Sequence, residues 1–358
     1  MKALIWLGKS TVKVRVTITM DVPKPKVAEV IDVILEVTGS TFCGSDLHLL
    51  HDKFIEMEKG NILEHEFCGV VKSMGAGVKG LKTENHIFTS FQIICRDMTP
   101  LQKPSQCEKT NCKTPENGMY GGRTAVLFGD VKLLKLPDTV PDENGLYLSD
   151  VLAALYNCVI DTKVYKGDVV VFWSAGLIVQ MCAEFALKES RMRSNCLNYS
   201  GRLESEYPHI ETIDFSVFPK GEPVTSQLKK MVDSRGRQTS LSTHYFKLEV
   251  YIEIYSFEIV NELIRSVRNF GHFGIAVVHA NHFKIGALME RGIHLIGNVQ
   301  VPVHLYWDKL MKDIMSGDLD ALKVDKVYYK FEANADSKQK VFALTKFSMP
   351  PRAVARIS

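Results

Sequence analysis

The sequence predicts an α/β protein in two parts: a small, mostly antiparallel, barrel-like β domain, and a parallel sheet wound with helices. Three observations carry this. The first half is dense in short β-type runs broken by turn signals. From about Leu148 the pattern changes to strands alternating with helical periodicity, as βαβ units require. The length, 358 residues, exceeds what one hydrophobic core holds and favours two domains.

In chain order, β-type runs fall at Lys13 to Thr19, Asp32 to Val37, Phe67 to Ser73 and His86 to Ser90. Pro23-Lys24-Pro25 and Gly75-Ala76-Gly77 supply breaks between them. Ser149 to Ile160 carries apolar residues at helical spacing. Lys166-Gly167-Asp168 then turns the chain into the apolar strand Val169 to Trp173. The small-residue turn Ser174-Ala175-Gly176 opens a helix from Leu177 to about Lys188. Further strands are expected at Cys196 to Tyr199, Phe273 to Val278 and Ile293 to Gly297, with helices at Ser256 to Asn269 and Tyr306 to Met315. Lys340 to Phe347 closes the pattern as a strand. No internal repeat or low-complexity tract interrupts it.

Composition excludes several classes. A 46% hydrophobic and 24% charged chain is of ordinary globular make-up. The net charge of +3 (44 basic minus 41 acidic), with no long basic run, points away from nucleic acid. The apolar stretch at the N-terminus is too brief for a signal-peptide core or a membrane span, and no later run approaches spanning length. Eight cysteines dispersed over this length fit metal or catalytic use better than a disulfide framework, so a reducing, cytosolic compartment is expected.

Chemistry concentrates in Cys43-Gly44-Ser45-Asp46 with His48, in Glu64-His65-Glu66-Phe67-Cys68-Gly69, and in Asp150 downstream. A thiolate, an imidazole and a carboxylate suit zinc with three protein ligands and an open fourth position, the catalytic kind of site. The motif, with Gly75, Val78, Leu148-Ser149-Asp150, the segment GALMERGIHLIGN at Gly286 to Asn298, Pro302-Val303-His304 and Thr345-Lys346-Phe347, resembles the zinc-containing medium-chain alcohol dehydrogenases. The likeness is greatest to their fungal members and formaldehyde-dehydrogenase-like branch. Glu64 stands where glycine is usual.

That resemblance implies a GroES-like catalytic domain from residues 1–147 with 299–358 returning to it, and a Rossmann nucleotide-binding domain at 148–298. It implies a catalytic zinc on Cys43, His65 and Asp150, with Glu66 beside the metal as a supporting group or exchangeable ligand. Asp46 would accept the N–H of the ligand histidine. Ser45 would touch the substrate oxygen and His48 would pass its proton to solvent. Association into a homodimer or homotetramer is likewise implied. His51 reads as a solvated surface residue.

The family's second, structural zinc takes four cysteines. Here Cys95 is followed by Met98 and Leu101 where the next two would fall, and Lys109 takes the fourth place, with Cys107 and Cys112 nearby. Two or three thiolates without a histidine make a poor structural site, so its loss is expected; a zinc held by Cys95, Cys107, Cys112 and a fourth group is the alternative.

Dinucleotide binding wants G-x-G-x-x-G after the first strand of the parallel sheet. The three positions read Ser174, Gly176 and Val179, and the ribose-binding acidic position aligns with Asn198. Asparagine does not repel a 2′-phosphate, and with Ser200 and Arg202 following, NAD and NADP both remain open. Arg202 reads either as a solvated surface charge or as a phosphate contact. Met119 to Leu134 and Val278 to Phe283 are shorter than in the relatives. The expected activity is hydride transfer between a small alcohol and NAD(P), giving an aldehyde or ketone. A member of the fold with a degenerate cofactor site and no turnover is the alternative. A zinc-free, quinone-reductase-like enzyme would leave Cys43, His65 and Asp150 without a role.

Overall fold

The structure is a computed structural model. It describes residues 2–6, 17–21, 24–41, 66–91, 125–126, 133–164, 169–173, 177–190, 193–197, 211–212, 225–226, 247–251, 257–267, 269–275, 284–297, 301, 303–319, 328–332 and 340–344. The chain divides into two compact units, Met1–Ala153 with Gln300–Ser358, and Ala154–Val299.

In the first unit, β1 (Lys2–Trp6) and β2 (Thr17–Asp21) form an antiparallel pair. The main sheet is built from β3 (Val33–Thr41), β4 (Phe67–Met74), β5 (His86–Thr89), β6 (Ala125–Val126) and β7 (Leu133–Lys135). These pair antiparallel in the order β3-β4-β5-β7, with β6 also on β3. Two C-terminal strands, β14 (Tyr328–Glu332) and β15 (Lys340–Leu344), extend the sheet, β15 lying parallel to β3. The alternation of β3, β4 and β5 buries Val33, Leu35, Val71 and Ile87 with Leu133, and Phe67, Met74, Val78 and Leu81 pack around them.

Two glycines of the recognised motif have packing reasons. A Cβ at Gly69 would lie 2.6 Å from the Glu36 carbonyl oxygen, beside the register shift between Val37 and Gly39. One at Gly75 would lie 2.3 Å from the Val30 oxygen. These positions are glycine because backbone passes against backbone.

The first unit then carries α1 (Asp142–Tyr147), while α2 (Val151–Asp161) starts in it and runs on into the second from Ala154. The expected helix from Ser149 begins two residues later. The Leu148 and Ser149 amides bond back to the Gly145 and Leu146 carbonyls, so the chain turns before α2 starts. The first unit also contains the single-turn helix Val303–Leu305 and α6 (Trp307–Ser316), which ends on Gly317 at φ 75° with its amide on the Ile314 carbonyl.

The second unit contains β8 (Val169–Trp173), α3 (Leu177–Ser190), β9 (Arg193–Leu197), β10 (Glu211–Thr212), β11 (Lys247–Tyr251), α4 (Phe257–Ser266), β12 (His272–Ile275), α5 (Ile285–Glu290) and β13 (His294–Gly297). All its strand pairs are parallel, in the order β10-β9-β8-β11 and β12-β13, and β11 runs alongside β12. Counted from β8, this is the doubly wound order 3-2-1-4-5-6. Phe172, Phe185, Val260, Leu263 and Phe273 are among its buried side chains.

The strand expected at Cys196 to Tyr199 starts earlier, at Arg193, in register with Val169 of β8. Pairing to a central apolar strand set its start, and RSNCL has no apolar run to announce it. Arg291 explains part of the GALMERGIHLIGN segment. Its guanidinium donates to the Ile264 and Val267 carbonyls at the C-terminal end of α4, and its Nε donates to Asn269 Oδ1 at 2.9 Å. A cation on orphan carbonyls at that end of a helix satisfies both hydrogen bonding and the dipole.

Candidate functional site

Glu66 stands immediately before β4 and is 1% exposed. Ser40, near the end of β3, pairs with Phe67, and its hydroxyl donates to the Glu66 carbonyl at 3.1 Å. The antiparallel ladder therefore carries β3 to within three residues of Cys43 and starts β4 two residues after His65. β5 lies on the other side of β4. Thr89 Oγ1 donates to the Phe67 carbonyl at 3.4 Å, and two residues on, the Phe91 amide donates to the Ser149 carbonyl at 3.2 Å. Segment 86–91 thus ties the start of β4 to the turn that carries Asp150.

That turn is delivered by α1. Pro141 sets an extended residue ahead of the helix, and Asp142 and Glu143 place negative charge in its first turn, where the helix dipole favours it. Asp150 emerges half-buried immediately before α2. Of the sequence-expected site, the described residues hold Glu66 and Asp150. Cys43, Ser45, Asp46, His48 and His65 lie outside them. Among the described residues no three metal-ligating side chains come together.

In the second unit β8 leads into α3, and the chain continues outward from β8 on both sides, through β9 on one and β11 on the other, all parallel. In doubly wound sheets this point faces the ligand. Val179 falls in the first turn of α3. Ser174, Gly176, Asn198 and Arg202 lie outside the described residues, as do Cys95, Cys107 and Cys112.

Two ionisable side chains packed on α1, Cys68 and His86, had no role assigned to them from the sequence. Cys68, fully buried, points its thiol to the Asp142 carbonyl at 3.8 Å. Burial, reinforced by the Asp142 and Glu143 carboxylates, pushes that thiol well up, so it stays protonated and acts as a small hydrophobe. His86 on β5 pairs with Asp142, Nε2 to Oδ1 at 2.5 Å, and this hydrogen bond raises the imidazole pKa against the lowering effect of burial. The partners are 56 residues apart, as 142 minus 86, beyond any local spacing rule.

Because the folded His86 pKa is raised above its unfolded value of about 6.5, the pair's contribution is complete below that value. It is lost as pH rises through the higher folded pKa. Urea midpoints are expected to fall over that interval above pH 6.5. A His86→Gln protein is expected to lack this component, and an identical pH dependence in the variant would rule the pair out as its source.

Comparison with known proteins adds independent findings. Residues 30–138 match the family model for the alcohol dehydrogenase GroES-like domain. A zinc-type alcohol dehydrogenase-like protein of Schizosaccharomyces pombe is 28% identical, over 96% of this chain and 88% of its own length. The alcohol dehydrogenase TADH of Thermus sp. ATN1 superposes with a TM-score of 0.71 at 22% identity, covering 91% of this chain and 92% of that one. A Sinorhizobium meliloti protein described as a zinc-binding dehydrogenase, solved with NADP bound, gives a TM-score of 0.66 at 17% identity, covering 96% and 98%. The solved structures establish the shared fold, GroES-like plus Rossmann.

Proposed function

Since the chain belongs to the medium-chain, zinc-type alcohol dehydrogenase family, we propose that it is a zinc-dependent oxidoreductase. It moves a hydride between a small alcohol and NAD or NADP, forming an aldehyde or ketone. Residues 1–147 with 299–358 are the catalytic domain in this reading, and 148–298 bind the nucleotide. The observation that carries it is the convergence on segment 86–91 of the chain flanking His65 and of the turn bearing Asp150, with β3 running toward Cys43.

The donor set fits zinc: Cys43, His65 and Asp150 supply sulfur, nitrogen and oxygen, leaving a position for substrate. A zinc held there would supply Lewis acidity at the substrate oxygen, and a bound nicotinamide would supply the hydride acceptor or donor. The protein's own residues do the rest. In this reading Asp46 would accept the N–H of His65 and orient that ring. Ser45 holds the substrate hydroxyl and takes its proton, and His48 passes the proton to solvent. Glu66, buried just ahead of β4, would serve the metal as a supporting carboxylate or exchangeable ligand. Assembly into a homodimer or homotetramer through the nucleotide-binding domain is part of this reading. It draws support from β13, which ends its sheet among the described residues and exposes Leu295.

Val179 at the start of α3, where glycine lets the helix approach its strand, favours a second reading: a member of the fold that has lost its cofactor. One experiment separates the two. Elemental analysis is expected to find one zinc per chain, and fluorescence titration is expected to show NADH or NADPH binding below about 1 mM. Zinc without binding of either nucleotide would overturn the hydride-transfer reading in favour of the second.

A further inference from the structure

We infer that Trp307 is a positioning residue for the metal centre, holding the Asp150 turn against β5 through its indole; this rests on the reading of Asp150 as a zinc ligand. The turn Leu148-Ser149-Asp150 has its carbonyls fixed from two sides. Segment 86–91 provides one hold, the Phe91 amide on the Ser149 oxygen. The other comes from α6, where Trp307 Nε1 donates to the Leu148 oxygen at 3.3 Å in a fully buried setting. Leu148 and Ser149 are 0% exposed and Trp307 is 5% exposed, so water does not compete for these bonds.

The indole also sets its own partners. It meets the Phe88 ring edge-on, with centroids 5.1 Å apart and planes at 80°. Phe88 lies on β5 opposite Cys68 of β4, one residue before Thr89, whose hydroxyl holds the Phe67 carbonyl. One side chain therefore spans the turn bearing Asp150 and the strand neighbouring the segment that opens with Glu66. The His304 ring also meets the indole edge-on, with centroids 6.4 Å apart and planes at 83°. Leu310 and Met311 of the same helix are buried, which anchors α6 independently of the indole. The arrangement gives Trp307 two separable parts: a ring that packs, and an N–H that fixes a carbonyl two residues before a ligand. A ligand displaced by a fraction of an ångström binds its metal less well, and supporting partners of metal ligands are worth about 10–100-fold in affinity.

The test uses the full chain with zinc alone, measured by competition against a chromogenic chelator, and cobalt(II) substitution to read coordination geometry in the visible spectrum. Trp307→Phe keeps an aromatic ring and removes the donor. It is expected to weaken zinc binding roughly tenfold and to shift the cobalt spectrum. A Trp307→Phe protein with wild-type zinc affinity and an unshifted cobalt spectrum overturns the inference. Should that variant fail to fold, Phe88→Leu removes the ring contact and leaves the donor. It is expected to weaken zinc binding about threefold, a smaller part of the same effect, and unchanged affinity again overturns the inference. Asp150→Asn run in parallel separates the two levels. If it binds zinc like the wild type, the ligand reading fails and this inference with it. If it is weakened while Trp307→Phe is not, this inference alone fails.

Discussion

Replacing Cys43 with serine is expected to lower both zinc content and turnover by at least about 100-fold, the upper end of what the loss of a mere supporting partner costs. Serine keeps the size of the side chain and loses the thiolate; its hydroxyl is neutral near pH 7 and offers a hard, weak donor where the site wants a soft anion. The control is Cys68→Ser. Cys68 lies three residues past His65, yet burial and two carboxylates keep its thiol protonated, so it is expected to lower stability and leave one zinc per chain. Elemental analysis and alcohol oxidation rates on both proteins decide it. Wild-type zinc and turnover in Cys43→Ser would sink the proposed mechanism.

Gly75→Ala is expected to destabilise the first unit by at least about 3 kcal/mol, lowering its melting temperature by roughly 6–12 °C. The added methyl would sit 2.3 Å from the Val30 oxygen and 2.4 Å from its carbonyl carbon, and neither is the end of a flexible side chain. The backbone there is already committed. The Gly75 amide donates to the Asp32 carbonyl at 2.8 Å and the Gly77 amide to the Val30 carbonyl at 2.6 Å. The Asp32 carboxylate accepts from the Ala28 and Glu29 amides at 3.0 and 2.8 Å, closing the turn from its other side. Relief of the clash therefore breaks hydrogen bonds that hold two turns together. A melting temperature within about a degree of the wild type, less than 1 kcal/mol is worth at this size, would show that the turns separate without cost.

Much of the framework was legible because it rests on local rules. Alternating apolar residues announced β3, β4 and β5, and the apolar run at Val169 followed by small residues announced β8 and α3. Strands whose stability comes from partners were not announced. β1, β7, β11 and β14 carry mixed sequences that become strands only against a neighbour. α1 escaped notice because DENGLY is only six residues long and contains a glycine, a poor helix former. Its place is secured by the Cys68 and His86 contacts to Asp142.

The same division runs through the candidate site. By itself, the sequence determined the doubly wound α/β plan with its β-rich companion, the family likeness, and the donor types at Cys43, His65 and Asp150, because residue identity and spacing along one chain encode them. Only the tertiary structure decided that Gly69 and Gly75 serve close backbone packing, that Cys68 is an inert thiol, and that His86 and Trp307 reach Asp142 and Leu148. Those facts depend on contacts between residues as much as 159 positions apart, where no periodicity reaches and only packing brings the partners together.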